Sequence, residues 1–289
     1  MQIPAGSDAR LPGAGGAEPP AGRLALRLLP GGDSERAAAL AARLGLPGVD
    51  TGSDEAALWL QLGPEGLSLQ VAGPGAPGAV RADLVGGRCG ARRRQAGARR
   101  MPIARAAALA RPAAPRILDA TGGLLADALV LASLGASVWA CERHPVIVEL
   151  ALDALRRAAE DAELRAWLPQ RLRLLALDAR EVLSAPARPD GAGFDAVYLD
   201  PMYPPRSGSA AGRKELAVLL RLTGPETDAA ALLECALDSE ARRVIVKRPA
   251  RAAPLGGRPP DLVYRGRSTR FDVYLRQAPA GAVSASAAR

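Results

Sequence analysis

The sequence predicts an α/β protein, a mostly parallel seven-stranded sheet with helices on both faces, preceded by a small α/β N-terminal lobe. Three observations carry this. After Pro115 short apolar runs alternate with helical patterns, an order that calls for parallel strands covered on both faces. Two apolar runs near the C-terminus, Leu262 to Arg265 and Phe271 to Leu275, read as a closing antiparallel pair. At 289 residues and 48% apolar content, the chain is long enough for one large domain and a smaller one.

In chain order, residues 1–22 are rich in Gly, Pro and Ala and are expected to be a disordered extension. The small lobe, 23–111, opens with a strand from Leu24 to Leu29 and a helix from Ser34 to Leu44, marked by its N-cap, alanines and leucine spacing. Residues 57–62 and 67–71 alternate around Gly63-Pro64-Glu65-Gly66, which predicts a β-hairpin. A turn-rich break at 73–78 precedes a strand-like Val80 to Val85 and a basic stretch from Arg88 to Arg111. In the large domain, 112–277, strands are expected at 116–119, 137–142, 172–177, 196–200 and 243–247. Helices are expected at 124–134, 146–167 and 229–237, with a disordered tail at 278–289.

The formal charge is +8 and the pI near 10.2, a basic excess that favours a polyanionic partner, RNA or DNA first. Cys89, Cys141 and Cys235 are widely spaced without a C-x-x-C pattern, so neither a disulfide framework nor a zinc site is indicated and no metal is expected. The N-terminus lacks a basic start followed by an apolar core, and no run approaches the ~20 residues of a membrane span. A cytoplasmic protein with no membrane partner is the expectation; oligomeric state is not legible.

Acids close four successive strands. Asp119-Ala120-Thr121-Gly122-Gly123 follows the first strand and opens a helix, where glycines let a cofactor approach backbone. Glu142 ends the second strand about twenty residues later, the position from which a carboxylate accepts ribose hydroxyls. Asp178 follows the third strand, where a carboxylate or neighbouring backbone can read an adenine amine. With no G-x-G-x-x-G at this strand-to-helix turn and no pyrophosphate to cradle, the pattern suits S-adenosylmethionine better than NAD. Each acid alone has the plainer reading of a helix cap or turn.

The fourth acid, Asp200, begins Asp200-Pro201-Met202-Tyr203. The lone pair of an exocyclic base amine is delocalised into its ring. Asp200 and the Pro201 carbonyl are placed to accept the two amine protons while Tyr203 stacks on the base, which makes these three the candidate catalytic residues. An unpaired or flipped base is needed. A simple Asp-Pro turn is the alternative. Lys247-Arg248-Pro249 closes the fifth strand and reads as a phosphate or cofactor-carboxylate contact or as ordinary surface; His144, beside Pro145, reads as a cap.

Arg88, Arg92, Arg93, Arg94, Arg99, Arg100 and Arg105 crowd one region with few acids, a candidate phosphate-following surface that Arg206, Arg213 and Lys214 would extend in a mobile loop. Solvated charge is the competing reading.

Taken together, these segments resemble the RsmJ family, small-subunit ribosomal RNA (guanine-N2)-methyltransferases. The matching blocks are Asp83-Leu84-Val85-Gly86-Gly87 with Arg92-Arg93, Asp119-Ala120-Thr121-x-Gly123, Asp127 with Leu131-Ala132-Ser133-x-Gly135, and Glu142-Arg143-x-Pro145. Tyr198 to Pro204, Leu222-x-Gly224-Pro225, Val246 to Pro249 and Arg270-Phe271-Asp272-x-Tyr274 continue the series. The resemblance implies a class I, Rossmann-like methyltransferase fold, S-adenosylmethionine as donor and a guanosine of 16S rRNA, free or in the small ribosomal subunit, as acceptor. It implies cofactor contacts at Ala126, Asp127, Glu142, Arg143, Asp178, Ala179 and Asp200, beside Asp119, Gly122 and Gly123 from the turn itself. The chain departs from the family at Gly123-Leu124-Leu125-Ala126-Asp127, where relatives carry Gly-Leu-Gly-Arg-Asp, and at Ala91-Arg92-Arg93, where they carry His-Arg-Arg.

Transfer of a methyl group to guanine N2 in 16S rRNA is therefore the leading expectation. A non-catalytic RNA-binding or assembly protein on the same scaffold, suggested by Leu125 and Ala126, is the alternative from another class. An adenine or cytosine N-methyltransferase acting on DNA shares the Asp-Pro-x-Tyr logic.

Overall fold

The computed structural model describes residues 24–46, 49–50, 56–95, 101–109, 114–185, 193–202 and 210–276, with side chains except at 49–50, 88, 93–95 and 210–213. The expected terminal extensions, Arg99, Arg100, Tyr203 and Arg206 lie outside the described residues, as do the side chains of Arg93, Arg94 and Arg213.

The small lobe is built from β1 (Leu24–Leu28), α1 (Ser34–Leu44), β2 (Val49–Asp50), β3 (Leu58–Gly63) and β4 (Gly66–Val71), in the strand order β2-β1-β3-β4. β1 runs parallel to β2 and β3, and β3 pairs antiparallel with β4 as the predicted hairpin. Asp33 caps α1, and Gly45 ends it with φ +63°. The strand-like Val80 to Val85 reduces to one bridge, Val80 to Leu69. The basic stretch contains two helices, α2 (Gly87–Gln95) and α3 (Pro102–Ala106).

The large sheet comprises β5 (Arg116–Asp119), β6 (Ser137–Cys141), β7 (Leu172–Leu175), β8 (Ala196–Leu199), β9 (Arg243–Pro249), β10 (Leu262–Arg265) and β11 (Thr269–Leu275), ordered β10-β11-β9-β8-β5-β6-β7. β5 to β9 are parallel neighbours, and β11 joins antiparallel. The order reverses between β5 and β8. A crevice opens there at the carboxyl ends of the strands, the place where open α/β sheets bind ligands.

The connections are α4 (Ala126–Ser133), α5 (Pro145–Ala158), α6 (Ala162–Arg171), α7 (Ala179–Ser184), α8 (Ala210–Thr223) and α9 (Ala229–Asp238). The side chains of β5, β8 and β9 divide between two cores. Ile117, Tyr198 and Ile245 pack with α4, α5, α6, α8 and the small lobe; Leu118, Val197, Val244 and Val246 pack with α7 and α9. Both faces of the central strands are thus buried, as a parallel sheet requires.

Two helical expectations need correction. The helix predicted over 146–167 is two helices, because Asp161 accepts from the backbone N–H groups of Glu163 and Leu164 and starts α6 anew. Lys214, expected in a mobile loop, lies on α8.

The four-stranded sheet shares one hydrophobic core with the seven-stranded sheet and is also held by polar contacts to α5. Asp153, fully buried, accepts from Arg36 Nη2 at 2.5 Å, Arg157 Nε at 3.0 Å and the Leu67 N–H at 3.0 Å. Glu149 takes a two-pronged bond from Arg43 at 2.6 and 2.9 Å. The hairpin turn rests on this cluster: Gly66 has φ +99°, and a Cβ there would stand 2.4 Å from Asp153 Oδ2, so only glycine fits.

Candidate active site

The first wall of the crevice is the turn after β5. Gly122 donates its N–H to the Cys141 carbonyl at 2.7 Å, and a Cβ on it would meet that oxygen at 3.0 Å. The turn therefore lies directly against the end of β6. Gly123, with φ +52°, donates its N–H to Glu142 Oε2 at 3.0 Å, and the His144 N–H donates to Oε1 at 2.7 Å. Glu142 is thereby fixed at both oxygens by backbone, and each oxygen keeps acceptor capacity. Burial raises its pKa, which these N–H groups oppose.

His144 caps α5, its Nδ1 accepting from the Val146 N–H at 3.3 Å, and burial lowers its pKa to about 4. It is a neutral cap, as expected for that position.

The floor is a charged chain running from β9 to α4. Lys247 Nζ donates to Asp127 Oδ2 at 2.7 Å and to Asp200 Oδ2 at 2.5 Å. The Tyr198 hydroxyl donates to the same Asp127 Oδ2 at 2.7 Å, and Arg92 Nη1 of α2 ion-pairs with Oδ1 at 2.7 Å. Asp127 is 6% exposed, and burial alone would raise its pKa; the cations Lys247 and Arg92 outweigh that and hold it well below the usual carboxylate range. Burial would discharge Lys247, yet the two carboxylates keep it firmly protonated. Asp200 differs. Its pKa is raised by removal from water, with Lys247 pulling back and the Asp127 charge adding to the rise, although 36% of the side chain faces open space.

The Asp200 backbone N–H donates to Thr121 Oγ1 at 2.6 Å, and Thr121 turns its N–H and hydroxyl to Asp119 Oδ1 at 3.1 and 3.4 Å. Buried Asp119 has its pKa raised to about 7, chiefly by desolvation. The tips of β5 and β8 are tied through this threonine. Beyond Asp200, Pro201 is buried and the Met202 N–H donates to Glu226 Oε2 at 2.7 Å.

The second wall is ionic. Asp178 caps α7 in a capping box with Glu181 and pairs with Arg180 at 2.6 Å and Arg143 at 3.4 Å. Its hydrogen bonds to Arg180 lower its pKa to about 2. Arg143 forks onto Asp228 at 2.5 and 3.0 Å. Ala179 opens α7 and is buried; Ala126 opens α4.

Of the residues singled out in the sequence, Asp119, Gly122, Gly123, Asp127, Glu142 and Asp200 come together around the crevice. The carboxylate of Asp178 is committed to its cap and ion pairs. Lys247 and Arg248, expected as RNA phosphate contacts or as ordinary surface, turn inward instead: Lys247 lies between two acids, and Arg248 is buried, one nitrogen donating to the Ala253 carbonyl. Their strand is flanked by β8 and β11, and a central strand leaves no face for solvent. Thr121, Tyr198, Glu226 and Asp228 are additions from the structure. Thr121 and Tyr198 lie within motifs already quoted from the sequence, whereas Glu226 and Asp228 lie outside every one of them.

A seven-stranded sheet of this order, with a glycine turn after its first strand and an acid after its second, defines a class I S-adenosylmethionine-dependent methyltransferase. Residues 39–276 match the family model described as "Putative SAM-dependent methyltransferase". The chain is 46% identical over 246 residues to ribosomal RNA small subunit methyltransferase J of Thioalkalivibrio sulfidiphilus, covering 83% of this chain and 93% of that protein. The same-named protein of Alkalilimnicola ehrlichii is 47% identical over 245 residues, 82% of this chain and 90% of the relative. The crystal structure of a SAM-dependent methyltransferase from Neisseria gonorrhoeae superposes with a TM-score of 0.64 at 32% identity, covering 89% of this chain and 96% of that one. The chain belongs to the ribosomal RNA small subunit methyltransferase J family.

The crevice fits the cofactor this family uses. Glu142 presents two oxygens, each with acceptor capacity left, as a pair of ribose hydroxyls requires, and the turn at Gly122 carries no side chain to hinder close approach. Among the described residues no cluster of His, Cys, Asp or Glu is arranged to hold a metal ion, and no helix is long and apolar enough to cross a membrane.

Proposed function

We propose that this protein transfers a methyl group to the exocyclic N2 amine of a guanosine in 16S rRNA. The observation that carries the reading is the setting of Asp200. Its Oδ2 is held by Lys247 and its N–H by Thr121, while among the described residues Oδ1 takes no hydrogen bond. A carboxylate pinned at one oxygen and open at the other, beside a proline carbonyl, suits a planar amine with two protons to give.

S-adenosylmethionine, when bound, supplies an electrophilic methyl on a sulfonium that leaves with the bonding pair. The chain orients the acceptor. Asp200 Oδ1 and the Pro201 carbonyl take the two N–H bonds, which draws the nitrogen lone pair out of conjugation and aims it at the methyl. As the N–C bond forms, the amine becomes cationic and one of its protons passes to Asp200, which returns it to solvent. Lys247 keeps Asp200 ionised beforehand, and Asp127 with Tyr198 keeps Lys247 in place. Asp200 and Pro201 are the catalytic residues of this reading, with Tyr203 as the stacking partner; Asp119, Gly122, Gly123, Ala126, Asp127, Glu142, Arg143, Asp178 and Ala179 surround the cofactor.

The name shared by the relatives supports ribosomal RNA as the acceptor, and so does the charge of +8. Arg92, Arg93, Arg94 and Arg99 are the proposed RNA contacts, Arg92 also reaching inward to Asp127. The test is transfer of labelled methyl into undermethylated small subunits, followed by digestion to nucleosides. N2-methylguanosine is expected; label in adenine or cytosine, or none in RNA, contradicts the reading.

A further inference from the structure

We infer that Glu226 is a positioning residue for methyl transfer, acting through the peptide bond between Pro201 and Met202. The inference rests on the function proposed above and assigns a role to a carboxylate outside the four strand-tip acids. Glu226 lies in the segment 224–228 between α8 and α9, and its Oε2 accepts from the Met202 N–H at 2.7 Å. That N–H and the Pro201 carbonyl belong to one peptide unit. The peptide is trans, so the two groups point in opposite directions from one plane.

A carboxylate holding the N–H therefore fixes where the carbonyl oxygen points, away from Glu226 and free of it. It also changes the carbonyl. An N–H bonded to an anion shifts electron density along the amide to its oxygen, and chained hydrogen bonds strengthen one another by roughly 10–30% per bond. The Pro201 oxygen becomes a better hydrogen-bond acceptor for the amine N–H it has to hold.

The same short segment reaches the other wall of the crevice. Asp228, two residues on, forks onto Arg143, which directly follows Glu142. One loop thus ties the tip of β8, where the base is to be held, to the tip of β6, where the cofactor ribose is to be held. No other contact between described residues of this loop and the Asp200-Pro201-Met202 turn is needed for the effect.

The test compares Glu226→Ala and Glu226→Gln with wild type in the full-length protein, on undermethylated small subunits at saturating cofactor. Melting temperature and S-adenosylhomocysteine affinity are measured alongside. Glu226→Ala is expected to lower kcat at least tenfold with cofactor affinity within threefold of wild type. Glu226→Gln, whose amide oxygen still accepts from Met202 but carries no charge, is expected to recover part of that loss. Glu226→Ala turning over within twofold of wild type, or losing rate only in step with cofactor binding, overturns the inference. So does a well-folded Glu226→Gln as impaired as Glu226→Ala. A wild-type protein inert toward small subunits overturns the function itself, and this inference with it.

Discussion

Lys247 donates to Asp200 across 2.5 Å, from one central strand to the tip of its neighbour, on the floor of the crevice. The ammonium is shared with Asp127 at 2.7 Å, so one cation serves two acids. The division is unequal. Asp127 also draws on Arg92 and Tyr198 and stays ionised, whereas Asp200 depends on Lys247 and is the member that takes up a proton more readily.

Replacing Lys247 by Met leaves Asp127 buried with part of its compensation gone and sets two carboxylates against each other. Breaking such a pair by removing one partner costs about 3 kcal/mol or more. The expected result is a matching fall in denaturation free energy, and a loss of methyl transfer of about a hundredfold, ~2.7 kcal/mol in the barrier. Urea denaturation and initial rates on small subunits check both.

On the proposed mechanism, the raised pKa of Asp200 sets the acid limb of the reaction. Because the ionised form accepts the amine proton, kcat falls as pH drops, with a midpoint above the ordinary aspartate value of about 4. A pH–rate profile measured at saturating cofactor shows where that limb lies. A midpoint at or below the ordinary value contradicts the assignment.

Asp119 affects stability in the opposite direction from a salt-bridged acid. Its folded pKa is about 7 because it is buried, while the unfolded chain ionises near 4. Between those values the folded state binds the proton more tightly, so the stability it contributes is complete at low pH and declines as pH rises to about 7. Asp178, held at about 2 by Arg180, contributes above the ordinary value and loses that contribution below it. Asp119→Asn is expected to remove the first decline. Its denaturation free energy gains on wild type between about pH 4 and 7, and parallel curves contradict the prediction.

Glu142→Ala removes the acceptor pair that Gly123 and His144 hold in place. Hydrogen bonds to a charged group are worth about 1.5–3 kcal/mol, so S-adenosylhomocysteine affinity is expected to fall about ten- to a hundredfold. Glu142→Gln is not a mild change here, because its NH2 faces a backbone N–H. Calorimetric titration of both variants tests this, and an unchanged affinity contradicts it.

Leu125, at a position where the family resemblance implies a glycine, is fully buried with φ +64°. A left-handed L-residue costs about 1–2 kcal/mol, whereas truncating a buried leucine to alanine costs about 2–5 kcal/mol. Leu125→Ala keeps the strain and loses the packing; Leu125→Gly loses the packing but relieves the strain. The glycine variant is therefore expected to be at least as stable as the alanine variant, the reverse of the order inside a helix. Thermal melts of the pair decide it.

Much of this fold was legible because apolar runs and glycine turns report locally on parallel strands. The tips of the first, second and fourth strands of the large sheet were found as acids in the sequence, and they converge. What misled was pattern without context. Apolar spacing runs unbroken through Glu160-Asp161, and only the backbone bonds to Asp161 show that two helices meet there. Lys247-Arg248 looked like surface charge, yet a strand flanked on both sides turns such residues into the core, where they must find acids or carbonyls. Glu226 and Asp228 carried no signal, since their partners are set by where two distant loops meet.

The central claim is that Asp200 handles the acceptor amine. Its most direct test is the single-turnover methyl-transfer rate of Asp200→Ala on small subunits, with cofactor affinity measured on the same preparation. The account predicts a loss of at least about a thousandfold, ~4 kcal/mol in the barrier, while S-adenosylhomocysteine still binds. A variant that folds, binds cofactor and keeps the full wild-type rate would contradict it.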